Sequence, residues 1–162
     1  MGKKVFLMWV ILFLISFSFV NVSISADQPP GLSRGQMIYV PSYSHIYIGN
    51  KERFLLLTIT LSVRNIDPNH SIRINHVDYY ETQGKRLKKC LDKPVILKPL
   101  ESYRYIIAEK DQSGGSGANF MVEWASEIPA NSPIVEAIMI GTQNQQGISF
   151  TSRGRVIVLD KK

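Results

Sequence analysis

The chain has 162 residues, 44% of them hydrophobic, with 19 basic against 13 acidic side chains and a net charge of +6. That is enough chain for one sizeable core, and its charge bias is too mild to indicate a nucleic-acid partner. A lone cysteine, Cys90, excludes a disulfide within the chain, so a folded domain must rest on apolar burial.

The first element is an export signal. Lys3 and Lys4 precede an apolar run from Val5 to Val20, and "SISADQ" supplies small residues for cleavage after Ser25 or Ala26. The run falls short of the ~20 residues of a spanning helix and is interrupted by Ser16 and Ser18. Residues 1–26 are therefore read as a signal peptide, with a retained anchor as the alternative. Cleavage leaves no stable membrane insertion and lowers the net charge from +6 to +4. The expected location is periplasmic or extracellular. Residues 27–36 read as a mature N-terminal linker and 37–160 as a single domain.

Beyond the signal the hydrophobic period is two. "QMIYVPSYSHIYIG" contains Pro41 and reads as an edge strand. In "RFLLLTITLSVRN", Leu55, Leu57, Ile59, Leu61 and Val63 alternate with polar residues, the pattern of a half-buried strand. "IDPNHS" carries turn chemistry, "IRINHVDYYE" reads as the next strand, and "TQGK" turns at Gly84 into "RLKKCL". "KPVILKPLE" suits a sheet edge between Pro94 and Pro99. "SYRYIIAE" alternates again, with Tyr103, Tyr105 and Ile107 on one face. "DQSGGSGA" then reads as a hairpin connection into "NFMVEW", where Phe120, Val122 and Trp124 share a face. "PIVEAIMIGT", apolar on nearly both faces, suits a central strand. "QNQQG" turns, and Gly154 marks a bulge or break in "ISFTSRGRVIVL". About eight short strands without an amphipathic helix predict an all-β fold. We expect an antiparallel immunoglobulin-like β-sandwich, with a small β-barrel as the alternative.

The phrases "VRNIDPNHSIRINHVDYYETQGK", "PVILKPLESY", "EKDQSGGSGANFMVEW" and "PIVEAIMIGT…GISFTSRGRVI" together resemble a family of small exported bacterial proteins known as domain of unknown function 3124. The resemblance runs from about Tyr39 to Val158. It implies a bacterial source and an envelope location. It implies no activity and transfers no catalytic or binding residue.

The candidate sites come from residue chemistry. Gly114, Gly115, Ser116, Gly117 and Asn119 form a glycine-rich turn whose backbone N–H groups could cradle an anion. A P-loop needs Gly-Lys-Ser/Thr and a following helix, and neither is here. "GGSGA" approaches a nucleophile elbow at Ser116, but a strand follows it, and His45, His70 and His76 all precede it. His45, His76 and Asp78 are weak metal candidates by their i, i+2 placement beside other polar residues. Glu123 and Glu136 interrupt strands that, if neighbours, would present two carboxylates for glycoside hydrolysis. The cluster Lys85, Arg86, Lys88 and Lys89 lacks interleaved aromatic residues and reads as a solvated strand end, so no nucleic-acid partner is expected. No cofactor is expected.

The leading functional expectation is a non-catalytic envelope domain that binds another macromolecule, such as an envelope protein, or a cell-surface component. The alternatives are a small-molecule or metal-binding exported protein and, less favoured by the residues, a hydrolase using Glu123 and Glu136.

Overall fold

Alternation along the chain decides which side of each strand is dry. The structure, a computed structural model, describes residues 31–49, 52–142 and 147–157. The expected signal, most of the "QNQQG" turn and residues 158–160 lie outside them. Twelve strands are described: β1 Ser33–Pro41, β2 His45–Ile48, β3 Arg53–Leu56, β4 Thr58–Arg64, β5 Ile72–Tyr80, β6 Arg86–Lys89, β7 Val95–Leu97, β8 Ser102–Ile107, β9 Asn119–Ala130, β10 Ile134–Gly141, β11 Ile148–Arg153 and β12 Arg155–Ile157.

They form two facing antiparallel sheets and a ribbon. One sheet runs β12-β1-β9-β5-β6, with β7 beside β6 along the same edge of β5; the other runs β11-β10-β4-β8; β2 and β3 pair only with each other. Neither sheet closes on itself, so the molecule is a β-sandwich and not a barrel. Ile38, Val40, Ile74, Val77, Phe120, Val122 and Trp124 from the first sheet meet Ile59, Leu61, Val63, Val135, Ala137 and Met139 from the second, all buried. At about 1.5–3 kcal/mol for each fully buried large apolar side chain, this layer is the main source of stability. In β5 the buried set changes parity between Ile74 and Val77, because Asn75 is an extra residue bulged between the pairs Ile74–Trp124 and His76–Glu123.

Several expectations are corrected. β1 is flanked by β12 and β9, so it is an interior strand; Pro41 is tolerated because it is the last residue of the ladder. It also begins at Ser33, inside the stretch read as linker. The long leucine-rich strand divides at Leu57, whose N–H donates to the Ser44 carbonyl, so residues 53–56 join the ribbon and 58–64 join the sheet. The glycine-rich stretch is not a hairpin: it carries the chain from β8 in one sheet to β9 in the other. Gly154 does break its strand, and there the chain also changes sheets. A Cβ on Gly154 would stand 2.6 Å from Ile38 Cγ2 and 2.9 Å from the Val135 carbonyl oxygen, so only glycine fits the crossing. The central position of the Ile134–Gly141 strand is as expected.

Among the described residues no helix is long and apolar enough to cross a membrane.

Candidate functional site

At one end of the sandwich the glycine turn and the ribbon meet. The ribbon pairs His45 with Leu56, Ile46 with Leu55, Tyr47 with Phe54 and Ile48 with Arg53. Its period of two turns Ile46 and Leu55 toward the core and puts His45, Tyr47 and Phe54 together on the other face. Those three rings contact one another, with centroids 4.5 Å apart for His45–Phe54 and 5.5 Å for both His45–Tyr47 and Tyr47–Phe54. Tyr47 and Phe54 remain 54% and 51% exposed. Tyr43, which precedes the ribbon, packs edge-on against Phe150 with ring centroids 5.7 Å apart.

Two hydroxyl side chains lock the glycine turn beneath the ribbon. Ser44 N–H donates to Gly115 O at 3.0 Å, and Gly115 N–H donates to Ser44 Oγ at 2.9 Å. Thr82 Oγ1 donates to Gly114 O and accepts from Gly117 N–H, both at 3.0 Å. Gly115 adopts φ 77°, the left-handed region that glycine enters without a Cβ penalty. Gly114 is buried against the Tyr79 hydroxyl. The N–H groups of Gly115 and Gly117, which an anion cradle would use, are therefore already bonded within the protein. Ser116 sits half-buried in a single 3-10 turn and is followed by a strand, so the elbow geometry is not formed. Asn119 opens β9, opposite Pro41 and Tyr80.

The wall behind the turn holds a neutral phenol and a neutral thiol beside one ion pair. Burial pushes the Tyr79 phenol well above its ordinary range, with the Asp111 carboxylate adding to the effect. Burial likewise pushes the Cys90 thiol up to about 11, against a hydrogen bond with Tyr105 that pulls the other way. A thiol held neutral in this way is a poor nucleophile and a poor metal ligand at neutral pH. Hydrogen bonding from the Ser113 hydroxyl lowers the Asp111 carboxyl, and Lys88 lies 3.7 Å from it.

The remaining sequence candidates lie apart. His76 and Asp78 are on the outer face of β5, where His76 faces Glu123 at 3.9 Å and Asp78 faces Arg86 at 3.3 Å. His45 is in the ribbon, and no group of three His, Cys, Asp or Glu side chains placed to hold a metal occurs among the described residues. Glu123 is on β9 and Glu136 on β10, strands of different sheets, so they are not facing carboxylates on neighbouring strands. Glu136 lies 3.9 Å from Arg64, and Glu123 accepts from Asn75 at 3.1 Å. In the basic cluster, Arg86 and Lys88 are taken up by Asp78 and Asp111.

Sequence reading missed the aromatic ribbon and a buried polar latch at the opposite end. The ribbon's signal was present as rings at alternate positions in "HIYIG" and a further ring in "RFLL", with short polar sequence between them. The latch is Asn65 and Asp67. Asn65 Nδ2 donates to the carbonyls of His70, Leu97 and Lys98 at 2.8, 3.2 and 2.9 Å. Asp67 accepts from the backbone N–H groups of Asn69, His70 and Asn131 and from Asn131 Nδ2, at 2.8–3.0 Å. Those bonds, the Asn131 N–H first, hold the Asp67 carboxyl well below the usual carboxylate range although burial opposes them. Three loops, 65–70, 97–101 and 131–132, are fastened together at this one point.

The fold and this site define a class: an antiparallel β-sandwich with an aromatic ribbon seated on a glycine crossover and no assembled catalytic group among its described residues. The chain belongs to the family described as "Protein of unknown function (DUF3124)", which it matches over residues 35–157. No curated protein matches the sequence. Among solved structures it is similar to the crystal structure of Thermotoga maritima 1070, at a TM-score of 0.42 and 12% identity, covering 74% of this chain and 92% of that one.

Proposed function

We propose that this chain is an exported, non-catalytic binding domain whose aromatic ribbon, seated on the glycine turn, engages another macromolecule of the bacterial envelope, a protein or a cell-surface component. The carrying observation is the pair Tyr47 and Phe54. Two large rings stand outside the core, about half exposed, with Tyr47 edge-on to both Phe54 and His45 and Phe54 tilted against His45. Aromatic side chains already ordered before contact lose little freedom on binding and dominate interface energies. The bonded glycine turn fits this reading better than an anion cradle, because it fixes the base of the ribbon through Ser44. Export rests on the Lys3–Lys4, apolar and small-residue order of the N-terminus.

Two measurements test the two parts. N-terminal sequencing of the exported protein should return Ala26 or Asp27; Met1 from a membrane fraction would replace the cleaved signal with an anchor. Chemical crosslinking in envelope extract should yield a discrete partner with the wild-type domain and lose it with Tyr47→Ala/Phe54→Ala, while the thermal midpoint of that variant stays near wild type. Equal capture by both proteins would remove the ribbon from the function.

A further inference from the structure

Methionine is an unusual choice for the outside of a sheet. It is flexible and apolar, and it lacks the β-branched or aromatic shape that strands favour. Five methionines occur in the chain: Met1 and Met8 in the stretch read as a signal, Met139 in the core, and Met37 and Met121. The last two share one place. They lie on the adjacent strands β1 and β9, on the outer face of the first sheet, each half-buried.

The register fixes what surrounds them. Met37 is directly opposite Glu123, and on the other side of β9 His76 is directly opposite the same Glu123. Met121 is two residues from Glu123 along β9, which makes it the diagonal neighbour of both Met37 and His76. Opposite Cβ atoms stand about 4.5–5.5 Å apart and diagonal ones within roughly 8 Å, inside the reach of long side chains. Ile38, Val77 and Val122 are buried, so their sequence neighbours Met37, His76, Met121 and Glu123 all project outward.

The imidazole is turned toward the same point. His76 Nε2 lies 3.9 Å from a Glu123 carboxylate oxygen, too far for a hydrogen bond, and the His76 side chain is 54% exposed. The carboxylate itself is held. Its other oxygen accepts from Asn75 Nδ2 at 3.1 Å, and Asn75 Oδ1 accepts from Arg73 Nε at 2.9 Å. The bulge at Asn75 therefore anchors a negative charge among two thioethers and an imidazole.

This donor set selects its ligand. Imidazole alone suits several transition metals, and a carboxylate alone favours hard cations. Neutral thioether sulfur is soft and favours Cu(I), whereas zinc sites take their sulfur from thiolates. Two thioethers and one imidazole make a neutral three-coordinate set, and the adjacent carboxylate offsets the charge of a monovalent ion. A protein partner covering the two methionines would have to bury the Glu123 carboxylate as well, at a desolvation cost that a bound cation offsets instead.

We propose that Met37, Met121 and His76 form a Cu(I) site on the outer face of the first sheet, with Glu123 as a positioning residue and counter-charge. The site uses no residue of the ribbon or of the glycine turn and is independent of their role.

The test uses a chain starting at Asp27, which keeps the whole core, since the core residues lie between Ile38 and Met139. Cu(I) is supplied without oxygen as its coloured bicinchoninate complex. Wild type should withdraw one equivalent, and copper X-ray absorption should show two sulfur neighbours and one nitrogen. Leucine matches methionine in volume, so Met37→Leu and Met121→Leu should each keep the wild-type thermal midpoint. Each, like His76→Gln, should weaken Cu(I) binding by more than the about tenfold expected of Glu123→Gln, which changes only an outer partner. The double methionine variant should withdraw no Cu(I), whereas Tyr47→Ala/Phe54→Ala should bind it as wild type. Zn(II) at equal concentration should not displace it. Failure of wild type to withdraw Cu(I), wild-type affinity in the double methionine variant, or displacement by Zn(II) overturns the proposal. Wild-type affinity in Glu123→Gln overturns the role given to that carboxylate.

Discussion

Replacing Gly114 with alanine puts opposing effects on one atom. Gly114 has φ −72° and ψ −32°, an ordinary right-handed conformation that alanine adopts freely. With open space around it, the substitution would therefore stabilise the protein by about 0.4–1 kcal/mol through the unfolded chain. The space is not open. A Cβ would fall 1.9 Å from Tyr79 Oη, 2.7 Å from Tyr79 Cζ and 2.8 Å from Ala118 Cβ. Tyr79 is fully buried and its ring lies 4.9 Å from that of Phe120, so it cannot swing aside. Overpacking of this kind costs about 1–3 kcal/mol, which outweighs the entropic gain and leaves a net loss of roughly 1–2 kcal/mol. Tyr79→Phe removes the nearest clashing atom. It should cost under about 1 kcal/mol by itself, since the hydroxyl has no protein partner among the described residues. Urea unfolding of the two single variants and the double closes the cycle. Alanine at 114 should cost less in the phenylalanine background, by at least about 0.5 kcal/mol, the size at which coupling exceeds ordinary additivity. A neutral or stabilising Gly114→Ala in the wild-type background, or equal costs in both, would refute the packing explanation. The glycine would then serve the turn in some other way.

Trp124→Ala should cost about 3–5 kcal/mol in the same assay, since the side chain is 1% exposed, whereas Ser116→Ala should stay within about 0.5 kcal/mol. Ser116→Ala protein that folds normally but fails partner capture would make the turn a recognition element. Cys90 should react with a disulfide reagent at pH 8 only as fast as the domain opens, and a fast stoichiometric reaction in native protein would contradict its burial. Its folded pKa of about 11 is above the ordinary 9.0, so its contribution to stability is full below pH 9 and declines as pH rises toward 11. Asp67 has the opposite sign: its carboxyl is depressed below 3.8, so its contribution is present above that pH and is lost progressively on acidification. Asp67→Asn should be less stable than wild type at pH 7, and the gap should narrow as pH falls from 4 toward 2; parallel stability curves would show that the charge is not what the latch uses.

Periodicity carried the strands because it is local. Leu57, Ile59, Leu61 and Val63 announce a buried face whatever lies opposite, as do Phe120, Val122 and Trp124. Sheet membership depends on contacts far along the chain, and there the reading failed. Nothing in "LLLTIT" says that the Leu57 N–H is claimed by Ser44, and nothing in "EWA" or "VEA" says that Glu123 and Glu136 belong to different sheets. Pro41 suggested an edge because proline cannot donate, yet a final ladder position makes no such demand. Gly154 was readable as an interruption, but the direction of the crossing is set by Ile38 and Val135. The site residues divide in the same way. Glycines at 114–117 advertise unusual backbone, but their partners Ser44 and Thr82 are 71 and 35 residues from the amides they accept. Asp67 looked like a turn residue and Asn65 like the polar end of a strand, because side chains that cap a local loop and those that bind three loops have the same composition.

β1 runs from the latch to the glycine turn, and its ladder with β9 extends from the Ser33–Ala130 pair to the Pro41–Asn119 pair. The direction in which the molecule is loaded therefore matters. Tension applied between the two ends runs parallel to these strands, so the hydrogen bonds between them lie across the pull and must yield together. Tension applied sideways to the β2–β3 ribbon would open its pairs one after another from the tip. The same domain is thus stiff as a strut along its long axis and compliant at the ribbon. Pulling from residues near Gly31 and Ala118, which draws β1 and β9 in opposite directions, should meet much higher rupture forces than pulling apart Gly49 and Glu52.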